Sequence, residues 1–329
     1  MYGVVCSVYG SSGSRKIVLV AILGDGDSYY SRPVPHIAVN DLELSYETAG
    51  DPNDPPLLLI AGLGVQLIDW AAHFVDPLVE RGLFVIQYDN RDIGLSTTFE
   101  GGEHDPQAVL DAVARGDRPN IAYTLDDMAD DAAGLLDALG IESAHIAGVS
   151  MGGMIAQATA IRHPLKVRSL TSIMSTTGAA DVGYPTPEAM EAILSSAPGT
   201  ERQDIISHNM RSAKVWASPD QFDAAYMESL FQRAWDRVGG PQTLNAGRHF
   251  CAIVASTPRD EALAVLGIPA LVVHGTADTL ISRTGGERTA EVIPGADLLL
   301  IEGMGHDITP AFAPRIVHAM SELFGVHTS

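Results

Sequence analysis

A serine flanked by glycines is the residue of this sequence best placed to act as a nucleophile. Residues 148–152 read Gly-Val-Ser-Met-Gly, with an apolar strand pattern at residues 143–149 and a helix-compatible stretch after Ser150. A strand, a sharp turn and a helix in this order lift a serine hydroxyl into open space, and the glycines leave room for the strained turn. The bare G-x-S-x-G pattern is weak evidence, so its position between strand and helix is what favours a nucleophilic Ser150.

A serine hydroxyl is a poor nucleophile near neutral pH, so Ser150 needs a base and a third group that orients the base. His306 follows an apolar run at residues 299–301, and Asp278 follows another at residues 270–273. The chain order Ser150, Asp278, His306 predicts a triad in which His306 is the base and Asp278 orients its ring. Each residue alone is more often a turn or capping residue, so the prediction rests on their joint occurrence.

Two other aspartates are alternatives for the orienting acid. Asp307 is adjacent to His306 in the chain, and from there its carboxylate would have difficulty reaching the ring Nδ1 in the right direction. Asp181 comes just beyond the apolar run at residues 170–173 and is the runner-up.

Attack on a carbonyl creates an oxyanion, which needs two preorganised donors. We expect one to be the backbone N–H of Met151, at the positive end of the helix after the nucleophile. The other is expected from the loop Ala61-Gly62-Leu63-Gly64, and the N–H of Leu63 is our first choice for it. A phosphate-binding loop is the competing interpretation, but this loop has no GK[ST] ending and no full GxGxxG pattern.

The elements that must position these residues alternate between strands and helices. Short apolar runs at residues 57–60, 83–86, 144–147, 170–173 and 270–273 predict strands that are buried on both faces. Residues 125–139 predict a helix that Thr124 caps and Gly140 ends, with Asp126, Asp127, Asp130 and Asp131 facing away from the apolar stripe. Residues 37–46 predict a hairpin around an Asn40-Asp41 turn. The pattern indicates an α/β class with a mostly parallel sheet, in which reactive groups collect at the carboxyl ends of the strands.

The chain divides into three predicted parts. Residues 1–35 form an extension that ends at Pro33 and Pro35, residues 36–176 and 268–329 form the core, and residues 177–267 form a helical insertion. The insertion carries aromatic side chains at helix-like spacing, which either pack against the core or line a substrate site. These candidate substrate-binding residues are Phe222, Tyr226, Phe231 and Trp235.

Composition excludes several classes of partner. The 329 residues carry a formal net charge of −21, which disfavours nucleic acid and anionic membranes. Cys6 and Cys251 are far apart and show no CxxC or Cys/His pattern, so neither a disulfide scaffold nor a structural zinc site is expected. The predicted serine chemistry needs no metal and no cofactor. The apolar run at residues 17–23 is too short to span a membrane and lacks a signal-peptide cleavage site, so a cytoplasmic location is favoured over secretion.

Four segments together resemble the α/β-hydrolase superfamily. They are residues 148–153, His274-Gly275-Thr276-Ala277-Asp278, Gly303-Met304-Gly305-His306 and the segment from Tyr88 to Ser96, which is similar to the superfamily's D-x-R-G-x-G-x-S motif. Residues 36–325 resemble most the bacterial esterase and lipase-like branch that includes aclacinomycin methylesterase. This resemblance implies an eight-stranded, mostly parallel sheet, a helical cap between the sixth and seventh strands, and a Ser-Asp-His triad. Many relatives have His-Gly where this chain has Ala61-Gly62, which puts the positioning of that loop in question.

The residues and the resemblance together predict a cofactor-independent serine carboxylic-ester hydrolase that works through an acyl-enzyme intermediate. Its expected partner is a neutral, apolar small-molecule ester, and the oligomeric state stays open. A lactonase, a perhydrolase or a C–C bond hydrolase would use the same triad, and a ligand-binding or receptor protein could keep the same fold.

Overall fold

The computed structural model describes residues 34–326, together with the backbone of two short antiparallel strands, β1 (Ser7–Tyr9) and β2 (Arg15–Ile17). Apart from these strands and residues 34–35, the predicted extension lies outside the described residues. The same holds for the apolar run at residues 17–23 beyond Ile17.

Eight further strands form one sheet, and their order confirms the predicted fold class. They are β3 (His36–Val39), β4 (Leu42–Ala49), β5 (Pro56–Ile60), β6 (Phe84–Tyr88), β7 (Ala144–Val149), β8 (Val167–Ile173), β9 (Ala270–Gly275) and β10 (Asp297–Ile301). The strand order is β10-β9-β8-β7-β5-β6-β4-β3. Only the pairings of β4 with β3 and with β6 are antiparallel, so the sheet is mostly parallel, with the predicted hairpin at its edge.

Helices connect the strands and cover the sheet. In the described part of the chain they are α1 (Ala72–Val79), α2 (Pro106–Ala114), α3 (Leu125–Ala138), α4 (Met151–Arg162), α5 (Pro187–Leu194), α6 (Arg202–Trp216), α7 (Ala224–Val238), α8 (Thr243–Val254), α9 (Asp260–Leu263), α10 (Thr284–Val292) and α11 (Ala313–Phe324). Helices α5 to α9 lie between β8 and β9, the sixth and seventh strands of the sheet. The division of the chain at residues 176 and 268 stays a prediction.

Burial on both faces of the sheet explains why its central strands are uninterrupted apolar runs. In β5, Leu58 and Ile60 join a core cluster with α3 and α4, whereas Leu57 and Leu59 join a second cluster with α1 and α11. Successive strand side chains point to opposite faces, so each face needs its own apolar residues. The sheet is therefore a rigid layer whose carboxyl edge can carry side chains in fixed positions.

Helix α3 confirms one prediction and corrects another. Thr124 and Asp127 form a reciprocal capping box at its start, and Gly140 follows its end with φ of +75°. Asp131, however, does not face solvent: its side chain is buried and pairs with Arg91 at 2.6 Å. Its position three residues after Met128 and four before Leu135 puts it on the buried stripe.

Candidate active site

Ser150 lies in a strained turn between β7 and α4. It has φ of +56° and ψ of −121°, a conformation that L residues rarely adopt. Two contacts hold this turn: the Ser150 N–H donates to the Ile173 carbonyl at 2.9 Å, and the Ser175 hydroxyl donates to the Ser150 carbonyl at 2.8 Å. The surrounding structure therefore fixes the backbone that presents the serine hydroxyl.

The glycines around Ser150 are required by close backbone contacts. A Cβ at Gly148 would lie 2.0 Å from the carbonyl oxygen of Gly152, and a Cβ at Gly152 would lie 2.0 Å from that of Ile60. Helix α4 thus starts directly against β5, at a distance that no side chain allows.

Asp278 and His306 are joined at the same edge of the sheet. Asp278 follows β9, His306 follows β10, and Asp278 Oδ2 accepts a hydrogen bond from His306 Nδ1 at 2.7 Å. The other carboxylate oxygen accepts backbone hydrogen bonds from Leu280 and Ile281, both at 2.9 Å. The carboxylate therefore fixes the imidazole tautomer and leaves Nε2 as the basic nitrogen.

Electrostatics keep the Asp278 carboxylate ionised. Burial opposes its charge, but the charge and hydrogen bond of His306 and the nearby His274 ring outweigh burial and hold the pKa of Asp278 well below its usual range. His274 Nε2 lies 3.3 Å from Asp278 Oδ2 and also donates to the Ile281 carbonyl at 2.8 Å. An anionic Asp278 can stabilise the imidazolium that forms when His306 takes a proton.

The hydroxyl of Ser150 forms no hydrogen bond within residues 34–326, so the structure does not join it directly to His306. Ser150 itself is partly exposed, whereas the side chain of His306 is only 8% exposed. Catalytic hydrogen bonds are often loose before substrate binds and tighten in the complex.

The two alternative acids, Asp307 and Asp181, bond to other residues and not to the His306 ring. Asp307 Oδ1 accepts hydrogen bonds from the backbone N–H of Ser218 at 3.0 Å and from the Ser218 hydroxyl. Asp181 pairs with Arg288 at 2.8 Å on an exposed surface. The geometry therefore favours Asp278 over both as the orienting acid.

The loop that follows β5 approaches Ser150 from the other side. A Cβ at Gly62 would lie 3.5 Å from the Cβ of Ser150, so the loop backbone passes directly beside the nucleophile. Within residues 34–326, neither the N–H of Leu63 nor that of Met151 donates a hydrogen bond. Met151 is also the first residue of α4, where the helix dipole favours a negative charge. Both predicted donors are thus available for an oxyanion.

The four predicted aromatic residues of the insertion do not behave as one stripe. Phe222 precedes α7 and is half-buried, as are Phe231 and Trp235, whereas Tyr226 is exposed. The buried residue of α7 is Leu230. Substrate binding by these four residues stays a prediction.

A contact of Tyr226 connects it to the segment that carries His306. Its ring lies 6.5 Å from that of His73, and His73 Nε2 donates to the carbonyl of Ile308 at 3.0 Å. Ile308 is two residues beyond His306, so Tyr226 is connected through His73 to the segment that carries His306.

The sequence did not predict two buried ion pairs that involve the segment after β6. Asp89 Oδ2 pairs with Arg237 of α7 at 2.6 Å, and Asp92 pairs with Arg248 of α8 at 2.6 Å. Asp92 also has a positive φ of 72°, one more strained residue at the carboxyl edge of the sheet. The segment from Tyr88 to Ser96 marks the two aspartates in the sequence. It does not identify their partners Arg237 and Arg248, which are about 150 residues away.

Other features of the described residues do not compete with this site. A surface groove of about 620 Å³ lies beside residues 94–104 and α8, but Ser150, Asp278 and His306 do not line it. Between residues 34 and 326 no group of three His, Cys, Asp or Glu side chains is arranged to hold a metal ion. The helices of the described part are all too short or too polar to cross a membrane.

Residues 55–309 match the family model described as alpha/beta hydrolase fold. The chain belongs to this family. Rhodomycin D methylesterase DauP from Streptomyces sp. (strain C5) is 28% identical over 308 residues, which cover 87% of this chain and 94% of that protein. DnrP from Streptomyces peucetius, also named a rhodomycin D methylesterase, is equally similar. The predictions of an α/β-hydrolase enzyme and of a relationship to bacterial methylesterases are confirmed, and these relatives are consistent with a carboxylic-ester hydrolase.

Other similar proteins have different names. A 2-hydroxy-6-oxononadienedioate/2-hydroxy-6-oxononatrienedioate hydrolase from Pseudomonas putida is 28% identical over 81% of this chain and 86% of that protein. Among solved structures, the meta-cleavage product hydrolase CumD from Pseudomonas fluorescens IP01 superimposes with a TM-score of 0.68 at 22% identity, covering 88% of this chain and 97% of its own. An enol-lactonase from Burkholderia xenovorans LB400 does so with a TM-score of 0.65 at 24% identity, covering 88% of this chain and all of its own. These structural similarities support the fold alone.

Proposed function

We propose that this protein is a serine carboxylic-ester hydrolase that works through an acyl-enzyme intermediate. The observation that carries the proposal is the 2.7 Å hydrogen bond between Asp278 and His306, at the sheet edge that also presents Ser150 on a strained turn. A base with a fixed tautomer at the same sheet edge as a partly exposed serine turn is the arrangement that nucleophilic acyl transfer needs.

The proposed reaction assigns roles to five residues. His306 Nε2 removes the proton from the Ser150 hydroxyl as its oxygen attacks the ester carbonyl, and the N–H groups of Leu63 and Met151 stabilise the oxyanion. The protonated His306, stabilised by Asp278, then gives its proton to the leaving alcohol. Water activated by the same histidine attacks the acyl-enzyme, which releases the acid and restores Ser150.

The relatives favour a methyl ester as the first substrate to test. Two proteins named methylesterases match across 87% of this chain, whereas the 2-hydroxy-6-oxononadienedioate hydrolase from Pseudomonas putida matches across 81% at the same identity. The net charge of −21 favours a neutral substrate over a polyanion. A lactonase is the second candidate, because a 3-oxoadipate enol-lactonase from Acinetobacter baylyi is 27% identical over 81% of the chain.

We extend the proposal to the helices between β8 and β9, which we infer to be a cap over the site. Helix α6 contacts the His306 segment, since the His306 N–H donates to the Trp216 carbonyl at 2.7 Å. Helices α7 and α8 contact the loops after β5 and β6 through Arg237 and Arg248. Residues 177–267 would then enclose a small-molecule ester against the sheet edge.

Organophosphonate labelling and ester hydrolysis together test the assignment. Native protein should be labelled and should hydrolyse p-nitrophenyl and methyl esters, and Ser150→Ala should lose both activities. Ser195→Ala is the matched control, because that serine is exposed and its hydroxyl bonds only to the Ala192 carbonyl of its own helix. Absence of both activities in native protein, or their retention in Ser150→Ala, would show that the proposal is wrong. A panel of lactones and C–C substrates run in parallel separates the alternatives.

A further inference from the structure

The imidazole of His249 connects the cap to two backbone segments beside Ser150. It lies on α8 and is fully buried. Its Nδ1 is 3.2 Å from the backbone nitrogen of Gly64, and its Nε2 is 2.8 Å from the carbonyl oxygen of Arg91. Gly64 immediately follows Leu63, whose N–H is a proposed oxyanion donor.

These two contacts determine the protonation of the ring. A backbone N–H can only donate and a carbonyl can only accept, so Nδ1 must be unprotonated and Nε2 must carry the proton. Burial lowers the pKa of His249, the Arg248 and Arg91 guanidinium groups act in the same direction, and the Arg91 carbonyl and Asp92 oppose them. The Tyr123 ring packs edge-on against the His249 ring, with 6.1 Å between the two ring centroids. A second proton would bring two N–H groups face to face at Gly64.

The oxyanion loop has no polar side chain with which to hold itself. Ala61, Gly62, Leu63 and Gly64 offer only backbone groups, so their position must be set from outside the loop. Helix α8 lies against Gly64, because a Cβ there would be 2.9 Å from the Cβ of Ala246. Gly64 also has φ of +68°, and this conformation fixes the direction in which the chain leaves Leu63.

The end of the loop is fixed to the cap and core as well. The Gln66 side chain donates to the Ala234 carbonyl at 2.9 Å and accepts from Arg237 at 2.9 Å. The Leu67 N–H donates to Asp89 at 2.8 Å. On the other side of Leu63, the Asn90 side chain donates to the Ala61 carbonyl at 3.0 Å. The His249 contact at Gly64 is therefore the side-chain contact nearest in sequence to Leu63.

We propose that His249 is a positioning residue of the cap that holds the oxyanion loop by accepting the Gly64 N–H. This inference rests on the proposed esterase function. The N–H of Leu63 interacts most strongly with the oxyanion of the transition state, so loss of the contact lowers kcat much more than it changes KM.

Asparagine and glutamine separate the two contacts of the ring. In His249→Asn the amide oxygen can take the place of Nδ1 and accept the Gly64 N–H. In His249→Gln the amide nitrogen can take the place of Nε2 and donate to Arg91, but no acceptor remains for Gly64. We expect His249→Gln to lower kcat by roughly 10- to 100-fold with little change in KM, and His249→Asn to retain at least about tenfold more kcat than His249→Gln. His318→Asn, at an exposed position on α11, should match native protein.

The melting temperature and the ring tautomer complete the test. Nitrogen-15 NMR of the His249 imidazole should show an unprotonated Nδ1 at neutral pH. This result does not depend on whether the protein hydrolyses esters. Equal kcat in the two His249 variants would overturn the inference while the esterase assignment stands. So would kcat losses that are proportional to the decrease in melting temperature of each variant. A protonated Nδ1 in active native protein would overturn it too. If native protein hydrolyses no ester and resists labelling, the proposed function itself fails, and the catalytic role of His249 fails with it.

Discussion

The helices between β8 and β9, which we infer to be a cap, contact the two sides of Ser150 with different chemistry. On the histidine side, the loops after β9 and β10 contact the end of α6 mainly through backbone carbonyls and hydroxyls. Thr279 Oγ1 donates to the Val215 carbonyl at 3.0 Å, and the His306 N–H donates to the Trp216 carbonyl at 2.7 Å. On the arginine side, the segment after β6 contacts α7 and α8 through ion pairs of Asp89 and Asp92, whose side chains are 0% exposed.

This difference has an energetic consequence. Separating a buried ion pair leaves a charge without its partner at a cost of about 3–5 kcal/mol, whereas a neutral hydrogen bond contributes about 1 kcal/mol net. The arginine side is therefore expected to stay closed, and the histidine side is the one that substrate could displace. The proposed oxyanion loop lies on the arginine side, which is the side expected to be held more firmly, as preorganised donors would require.

The largest expected effect concerns the acid of the histidine side. Asp278→Asn can still hydrogen-bond to His306, but it removes the negative charge and allows the wrong ring tautomer. We expect kcat for ester hydrolysis to fall by about 10⁴-fold. Steady-state kinetics measure the change, and Asp181→Asn, at the exposed runner-up acid, is the control. A comparable loss in the control, or native turnover in Asp278→Asn, would contradict the assignment of the acid.

The arginine side should show its importance in stability. Arg248→Met leaves Asp92 buried without its cation and should lower the free energy of unfolding by about 3–5 kcal/mol in urea titrations. The matched control is Arg202→Met, because Arg202 pairs at 2.9 Å with an exposed Asp236 and its loss should cost less than about 1 kcal/mol. Adding Asp92→Asn to Arg248→Met should cost less than the sum of the single changes. Equal losses at the buried and the exposed arginine would remove the distinction between the two sides.

Sequence patterns predicted the features that depend on local spacing. The strand, turn and helix around Ser150 and the capping box of α3 are each encoded within a few residues. The triad order came from strand ends, since parallel strands bring their carboxyl ends to one edge. These features could be derived before any contact between distant segments was known.

Contacts between distant segments could not be predicted in the same way. Asp92 and Arg248 are 156 residues apart, and nothing near either residue specifies the other. Asp131 was placed on the solvent side because of its charge, although its helical position is on the buried stripe, where Arg91 compensates that charge. Likewise, the neutral His249 could not be distinguished in sequence from a surface histidine.

A smaller effect is expected at the cap contact of the histidine side. The Ser218 hydroxyl donates to Asp307 and accepts the Gly305 N–H at 2.8 Å. Ser218→Ala should lower the free energy of unfolding by about 1–2 kcal/mol, because both partners lose a buried contact. It should also lower kcat several-fold, since Gly305 precedes His306. Ser212→Ala on α6 is the control, because that hydroxyl forms no hydrogen bond within residues 34–326. If Ser218→Ala cost as much stability as Arg248→Met, the two sides would be held equally firmly.

The smallest effect is a difference in how the two sides respond to acid. Burial lowers the pKa of His249, so the unfolded chain binds its proton first and stability falls as the pH drops below about 6.5. One such group contributes at most about 1.4 kcal/mol per pH unit. Asp278, with its lowered pKa, stays ionised through this range and contributes stability that is lost only below about pH 3.9.

Urea unfolding between pH 6.5 and 4.5 can measure this difference once a second histidine is removed. Burial lowers the pKa of His145 to about 4, so His145 adds a similar slope from the opposite end of β7. We therefore compare His145→Asn with the double variant His145→Asn, His249→Asn, and expect a shallower loss of stability in the double variant. His145→Asn, His318→Asn should keep the steeper slope, because His318 is exposed. Equal slopes in all three chains would mean that folded His249 takes up a proton as readily as the unfolded chain does, and the Gly64 contact would then not hold the ring neutral.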